Sequence, residues 1–273
     1  MCLFTEEIDK VSDTRIFARM AGDTQILVYE MTFSSKEDLA MVLPIPVAPG
    51  VGEDAVDFIS MDDFPSFFSW LDELFPVVIG GMEEDDLEFL DAPVTASLLE
   101  VHQVGCFEAS FVPQRKDFER LDPRFRLPEK VWNSFTHYED YGFVVFKLKR
   151  GQNQEVHPMA FSFPTRQPEK LFYPTVHVHD GEFHEQAEFD HTLYAQVPVE
   201  IRGWEPSEWC LGKELFEMSS DPDVRKFMGL EQKERWSPVA ELNVVELDRS
   251  CYRKIIRGMR KNEDIRVSLN ALV

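Results

Sequence analysis

Histidines are concentrated in one short part of the chain, and histidine is the side chain most often used to bind metals or to move protons near neutral pH. Four of the seven fall within fifteen residues: His177, His179, His184 and His191. A random polar surface would rarely collect so many. Imidazole suits zinc, iron, manganese, nickel and copper as a ligand. This stretch is therefore the first candidate for a chemical site.

The element expected to position these side chains is a β-hairpin. Asp180-Gly181 lies between two β-type runs, and Asp-Gly favours a two-residue type I′ turn because both central positions need positive φ. That register places His177 opposite His184 and His179 opposite Glu182. Opposed residues share a face, with Cβ atoms about 4.5–5.5 Å apart. All four side chains would then project from one side.

The sequence therefore predicts a divalent metal ion bound by His177, His179 and His184, with Glu182 as a fourth ligand or general base. Three protein ligands leave a coordination position open, as a catalytic metal needs, so the function would be that of a metal-dependent hydrolase or oxygenase. A second interpretation needs no metal. A half-buried antiparallel sheet also has one apolar and one polar face, and the histidines would then belong to a solvated surface.

Cys2 is a second candidate. Removal of Met1 would leave Cys2 as the first residue, and its own α-amine, with a pKa of about 7.7–8.0, could take the thiol proton. Cys2 followed by Ile16–Asp23 resembles the opening of the N-terminal-nucleophile hydrolases of the cholylglycine hydrolase type. That resemblance implies an amidohydrolase in which Arg19 and Asp23 support the nucleophile.

Over its whole length the chain also resembles an uncharacterised bacterial protein family. The segments that carry this resemblance are Met1–Phe4, Leu39–Pro46, His157–Pro164 and His177–Gly181. It implies a soluble bacterial protein and no particular activity. A third functional class, a non-catalytic binding or scaffold protein, therefore stays open, with either a small-molecule substrate or an unknown protein as the partner.

Composition limits the partners further. The chain has 50 Asp and Glu against 28 Lys and Arg, a formal net charge of −22. Such a charge repels phosphate backbones and anionic membrane surfaces, and no apolar run approaches the roughly 20 residues of a membrane span. The four cysteines are scattered, as is typical of reduced thiols in the cytoplasm. We expect a cytoplasmic protein that binds neither nucleic acid nor membrane.

The order of elements predicts an α+β fold, mostly antiparallel sheet with inserted helices and a helical C-terminal quarter. Aromatic and β-branched residues predict strands at 15–20 and 25–33, and a continuous apolar run predicts a buried strand at 39–47. At 273 residues the chain can bury a substantial core. We expect one compact domain over residues 1–273, with a weak subdivision near 200.

The last quarter differs in character from the rest. Helical spacing predicts helices at 206–218 and 222–230, and apolar content predicts a strand at 239–247. A short basic helix is expected over Cys251–Lys261. Its five cations and the preceding Arg249 form the positive patch of the chain: Arg249, Arg253, Lys254, Arg257, Arg260 and Lys261. On so acidic a protein, we favour internal or dimer charge pairing over a phosphate site.

Overall fold

The computed structural model describes residues 3–75, 102–104, 107–134, 138–211 and 232–269, most of which lie in β-strands. The strands are β1 Leu3–Phe4, β2 Lys10–Ala21, β3 Thr24–Ser35, β4 Leu39–Ile45, β5 Asp57–Ile59, β6 His102–Val104, β7 Phe107–Val112, β8 Gly142–Leu148, β9 Gly151–Pro164, β10 Lys170–Tyr173, β11 Gln186–Gln196, β12 Glu205–Cys210, β13 Ser250–Lys261 and β14 Ile265–Ser268. The helices are α1 Phe67–Asp72, α2 Glu129–Asn133 and α3 Gln232–Glu241, with 3₁₀ turns at Arg115–Arg120 and Pro123–Phe125.

The strands form two main sheets. The larger has seven strands in the order β12-β13-β11-β2-β3-β9-β5, and the smaller has five in the order β1-β4-β8-β7-β6. Pairing is antiparallel throughout both sheets except between β11 and β2, which run parallel. β10 and β14 form a separate antiparallel pair. β13 is therefore second from one end of the larger sheet, next to β12.

The two sheets pack face to face over a shared apolar core. Leu27 and Tyr29 of β3 contribute from the larger sheet, and Met41 of β4 and Phe146 of β8 from the smaller. Alternate residues of a strand point to opposite faces, so intervening residues such as Val28 pack on the far side. The central strands are buried on both faces, which is why they are apolar almost continuously.

Short helices cover the outer faces of both sheets. On the larger sheet, Phe67 of α1 packs edge-on against Phe17 of β2 and Trp236 of α3. On the smaller sheet, Trp132 of α2 packs against Phe143 of β8. None of the helices in the described ranges is long and apolar enough to cross a bilayer.

The predicted α+β fold class is wrong. The protein is mostly β, with 47% of its residues in strands and 14% in helices, and the described part of its last quarter is not a helical region. β13 occupies the segment expected to be a basic helix, and β12 occupies the start of the segment expected to be helical from residue 206. Adjacent β-branched residues at Ile255 and Ile256, followed by Gly258, disfavour a helix there and suit an extended strand.

Candidate functional site

The histidine-rich segment 174–185, which is described throughout, forms an irregular connection between β10 and β11 and not the predicted hairpin. Gly181 does adopt the positive φ of 72° that the turn needed. The Asp180 carboxylate, however, accepts from the N–H of Glu182 at 3.0 Å, and β11 starts only at Gln186. The predicted opposition of His177 and His184 therefore does not form.

The N-terminal part of the chain pairs with this segment instead. The N–H groups of Phe4 and Ile8 donate to the carbonyl oxygens of Val178 (3.2 Å) and His179 (3.0 Å). Leu3 and Val178 also form a parallel bridge. The segment consequently runs beside β1, with His179 close to the ring of Phe4.

Asn262, in the turn after β13, supplies hydrogen bonds to backbone groups that the predicted hairpin would have paired with each other. Its Oδ1 accepts from the N–H of His177 at 2.7 Å, and its Nδ2 donates to the carbonyl oxygens of His177 (2.8 Å) and His184 (2.9 Å). Its backbone N–H donates to the carbonyl of Glu185 at 2.9 Å. One buried residue thus satisfies backbone groups at both ends of the histidine-rich segment.

Asp264 anchors the start of the same segment. Its carboxylate accepts from the Tyr138 hydroxyl at 2.6 Å and from the N–H groups of Thr175 (3.0 Å) and Val176 (3.4 Å). Burial raises the pKa of Asp264, and the three donors act against that shift. The turn between β13 and β14 therefore determines the path of residues 175–184 through two polar side chains.

The structure brings together a different set of histidines from the predicted one. The His177 ring stacks on His179 with centroids 5.4 Å apart and an interplanar angle of 9°, and on His191 of β11 at 5.2 Å and 17°. Phe189 stacks on His177 at 4.4 Å. His184 lies apart and exposed, with its Nε2 2.7 Å from the Asp180 carboxylate. We call His177, His179 and His191 the imidazole stack.

Burial keeps the imidazole stack neutral. It lowers the pKa of His177 to about 2 and that of His179 to about 4, and it lowers the pKa of His191 as well. The Nε2 atoms of His177 and His179 have no hydrogen-bond partner among the described residues. By contrast, its hydrogen bond to Asp180 raises the pKa of His184.

The predicted metal-binding function is wrong. Among the described residues no group of three or more His, Cys, Asp and Glu side chains could hold a metal ion. Imidazole lone pairs lie in the ring plane, so rings stacked in nearly parallel planes do not aim their nitrogens at a common point. Glu182, the expected fourth ligand or base, is exposed and lies 3.6 Å from Lys130 Nζ.

The structure does not bring together Arg19 and Asp23, the two residues expected to support the N-terminal nucleophile. Cys2 lies outside the described residues. The buried guanidinium of Arg19 donates to the carbonyl of Val244 (2.9 Å), to Asn243 and to Glu246 (2.8 Å), so it stabilises the turn before β13. Burial lowers the pKa of Arg19, while Glu246 opposes that shift. Asp23 lies in the exposed β2–β3 turn, and no contact within the described chain joins it to Arg19.

β13 has a feature that the sequence reasoning missed, an open edge. β11 pairs with it from Cys251 to Lys261. On its other side, β12 pairs only with Ser250, Tyr252 and Arg253. Within the described ranges, no strand covers that side of Lys254–Lys261, which we call the outer edge of β13.

Exposed apolar and basic side chains alternate along this outer edge. Ile255 is 49% exposed and Met259 is 60% exposed, the two most exposed large apolar side chains in the described chain. Arg257 lies between them and forms an ion pair with Asp190 at 2.8 Å. The sequence contains a signal for this strand, because the apolar residues Tyr252 and Ile256 are separated by an even number of positions and would share one face. In the structure both are half buried and pack on the core between the sheets.

No family model matches the chain. Its fold is similar to several solved structures of a baculovirus protein. The crystal structure of baculovirus P35 has 13% sequence identity over 98% of this chain and 99% of that chain, with a TM-score of 0.48. P35 in its complex with caspase-8 has 12% identity over 94% and 96%, with a TM-score of 0.42. A mutated P35 after caspase cleavage has 13% identity over 95% and 100%, with a TM-score of 0.40.

These findings correct the expected family relationship. The resemblance to an uncharacterised bacterial family and to hydrolases of the cholylglycine type is wrong, because no family model matches the chain. The N-terminal-nucleophile amidohydrolase, which the second of these resemblances implied, loses its support with it.

Replacing Asn262 by leucine should destabilise the protein by about 2–4 kcal/mol, because three buried backbone groups lose their partners at once. Urea unfolding of the wild type and the variant measures this difference. Glu263→Gln, at the exposed neighbouring position, is the matched control and should change the unfolding free energy by less than about 0.5 kcal/mol. A loss below about 1 kcal/mol in Asn262→Leu would show that Asn262 does not organise the segment.

Acid should destabilise the protein through the imidazole stack. Because the folded-state pKa values of His177 and His179 lie below 6.5, the unfolded chain binds more protons below that pH. The unfolding free energy should therefore fall as the pH drops from about 6.5, by up to about 1.4 kcal/mol per pH unit for each histidine. Urea unfolding between pH 7.5 and 5.5 measures the slope.

Two variants isolate this effect. His177→Phe keeps the ring packing without the titrating group and should flatten the slope. His184→Gln should instead steepen it slightly, because the raised folded-state pKa of His184 favours the folded protein as the pH falls. Equal slopes in the wild type and His177→Phe would contradict the assignment of the acid sensitivity to the stack.

Proposed function

We propose that the protein acts by binding another protein, which adds an extended segment to the outer edge of β13. The observation that carries the proposal is the stretch Lys254–Lys261, which pairs with β11 on one side and with no described strand on the other. Addition of a strand to an exposed sheet edge is a recurring mode of peptide recognition, in which main-chain hydrogen bonds supply affinity and side-chain contacts supply specificity.

The backbone of the outer edge supplies the first part of such an interaction. In an antiparallel sheet, the N–H and C=O groups of alternate residues point to opposite sides of a strand. β11 takes one set from β13. The other set, along Lys254–Lys261, is available to an incoming segment, and the edge begins where the pairing of β12 with Arg253 ends.

The side chains supply the second part. Ile255 and Met259 are four residues apart and therefore project from the same face of the strand, with Arg257 between them. Burial of an apolar side chain of this size contributes roughly 1.5–3 kcal/mol when it goes from fully exposed to fully buried. Because both are about half exposed, a docked segment would gain a fraction of that from each.

A protected edge is the competing interpretation. Natural sheets discourage edge pairing with cations and local bends, and the outer edge has both, since Gly258 has a φ of 81°. That interpretation explains the lysines and arginines but gives no reason for two exposed apolar side chains among them. Strand addition accounts for both features.

The test compares three baits: the wild type, the double variant Ile255→Lys/Met259→Lys, and Leu242→Lys. Leu242 is 39% exposed and lies just after α3, so its variant makes the same chemical change away from the edge. Each bait is incubated with an extract of cells from the natural source and, separately, with purified caspase-8. Caspase-8 is a defined probe because P35 has been crystallised in complex with it.

We expect the wild type and Leu242→Lys to capture a protein that the double variant captures in at least tenfold smaller amount. Circular dichroism and urea unfolding confirm that all three baits are folded. Equal retention of every captured protein by the double variant and by Leu242→Lys would contradict binding at the outer edge.

A further inference from the structure

We infer that the segment recognised at the outer edge of β13 is acidic, with Asp or Glu opposite Lys254 and Arg260 and apolar side chains opposite Ile255 and Met259. This inference rests on the proposed function, because it names the chemistry of the partner that the edge would bind. It follows from the charges and from the faces on which the side chains lie.

The cations of the outer edge differ in how well they are neutralised. Arg257 is paired with Asp190 at 2.8 Å, and Lys261 is paired with Glu263. Lys254 and Arg260 form no ion pair with any residue in the described ranges. On a chain with a formal net charge of −22, two cations left without an internal partner on an open edge indicate an external one.

The strand geometry gives the pattern of the partner. Lys254 and Arg260 are six residues apart and lie on the face that carries Ile256, whereas Ile255 and Met259 lie on the opposite face. A segment that pairs residue by residue with 254–260 therefore needs acidic side chains at its first and seventh positions and apolar side chains at its second and sixth. This pattern reads the same in both directions, so it holds for parallel and antiparallel docking.

A second copy of this chain fits the edge less well. Two β13 strands related by a two-fold axis at Arg257 would pair Ile255 with Met259, which is favourable. The same register places Lys254 opposite Arg260 and Arg257 opposite its own copy. Like charges directly opposed across strands are destabilising, so charge favours an acidic partner over self-association.

Screening makes the local charge decisive. At physiological ionic strength the Debye length is about 8 Å, so the overall negative charge of the chain acts weakly on a docked segment. The cations directly opposite the segment act over cross-strand distances of about 5 Å. The preference for acidic side chains should therefore be strongest at moderate salt and decrease as salt is raised.

Three synthetic heptapeptides test the inference on the full chain by fluorescence anisotropy. The acidic peptide is Glu-Val-Thr-Thr-Thr-Val-Glu with blocked ends, and the two others replace both Glu residues with Gln or with Lys. We expect the acidic peptide to bind the wild type about tenfold more tightly than the Gln peptide, and the Lys peptide to bind most weakly.

Variants separate this inference from the proposed function. Lys254→Gln/Arg260→Gln should remove the preference for Glu over Gln. The uncharged double variant Ile255→Thr/Met259→Thr should weaken binding of both peptides, and Leu242→Thr should change neither. Equal binding of the Glu and Gln peptides, lost in Ile255→Thr/Met259→Thr, would overturn the acidic specificity while leaving strand addition intact.

Two further results would overturn the inference. One is the absence of binding by any peptide up to 1 mM, roughly the weakest affinity class that solution methods resolve. The other is a wild-type dimer in light scattering that becomes monomeric in Ile255→Lys/Met259→Lys, because a second copy would then occupy the edge.

Discussion

Backbone hydrogen bonding around β13 is the constraint on which this end of the structure depends. Buried N–H and C=O groups must find partners, or each costs free energy comparable to a lost hydrogen bond. β13 meets the requirement on one side through β11, and the turn that follows it meets the requirement of residues 175–184 through Asn262 and Asp264. No strand in the described part of the chain pairs with the outer edge of β13, and we base the proposed function on that asymmetry.

The imidazole stack is a consequence of this arrangement. Because side chains of the β13–β14 turn hold the segment 175–184, the segment needs no hairpin ladder and can lie along β1. His177 and His179 then point into the protein beside His191 and Phe189, where burial favours the neutral ring. Histidines that the sequence suggests as metal ligands are packing groups in the fold, and we expect their low pKa values to make the protein sensitive to acid.

Local sequence patterns predicted several of these elements. The runs predicted as strands at 15–20 and 25–33 lie in β2 and β3, and β4 covers 39–45 of the run predicted at 39–47. Strands buried on both faces have little freedom in composition, which is why local patterns reveal them. Gly181 takes the positive φ expected of it, and His177 and His179 share a side, as residues two apart in an extended chain should. These properties depend on a few neighbouring residues.

The predictions that are wrong concern features that depend on residues far away in the sequence. The hairpin was lost because Asn262, some eighty residues away, supplies hydrogen bonds that no local pattern reveals. The sequence predicts a short basic helix over Cys251–Lys261, yet pairing with β11 makes this segment a strand. Whether one side of a strand is open depends on where its neighbour begins and ends. Only the three-dimensional structure shows that the pairing of β12 with β13 ends at Arg253.

The most direct test of the account is residue-resolved amide hydrogen exchange on the free protein. An open edge predicts alternation along Lys254–Lys261, with slow exchange at amides bonded to β11 and fast exchange at those that point outward, while Tyr252 and Arg253, covered on both sides, exchange slowly. Uniformly slow exchange across Lys254–Lys261 would mean that the edge is already covered in the free protein and would contradict the account.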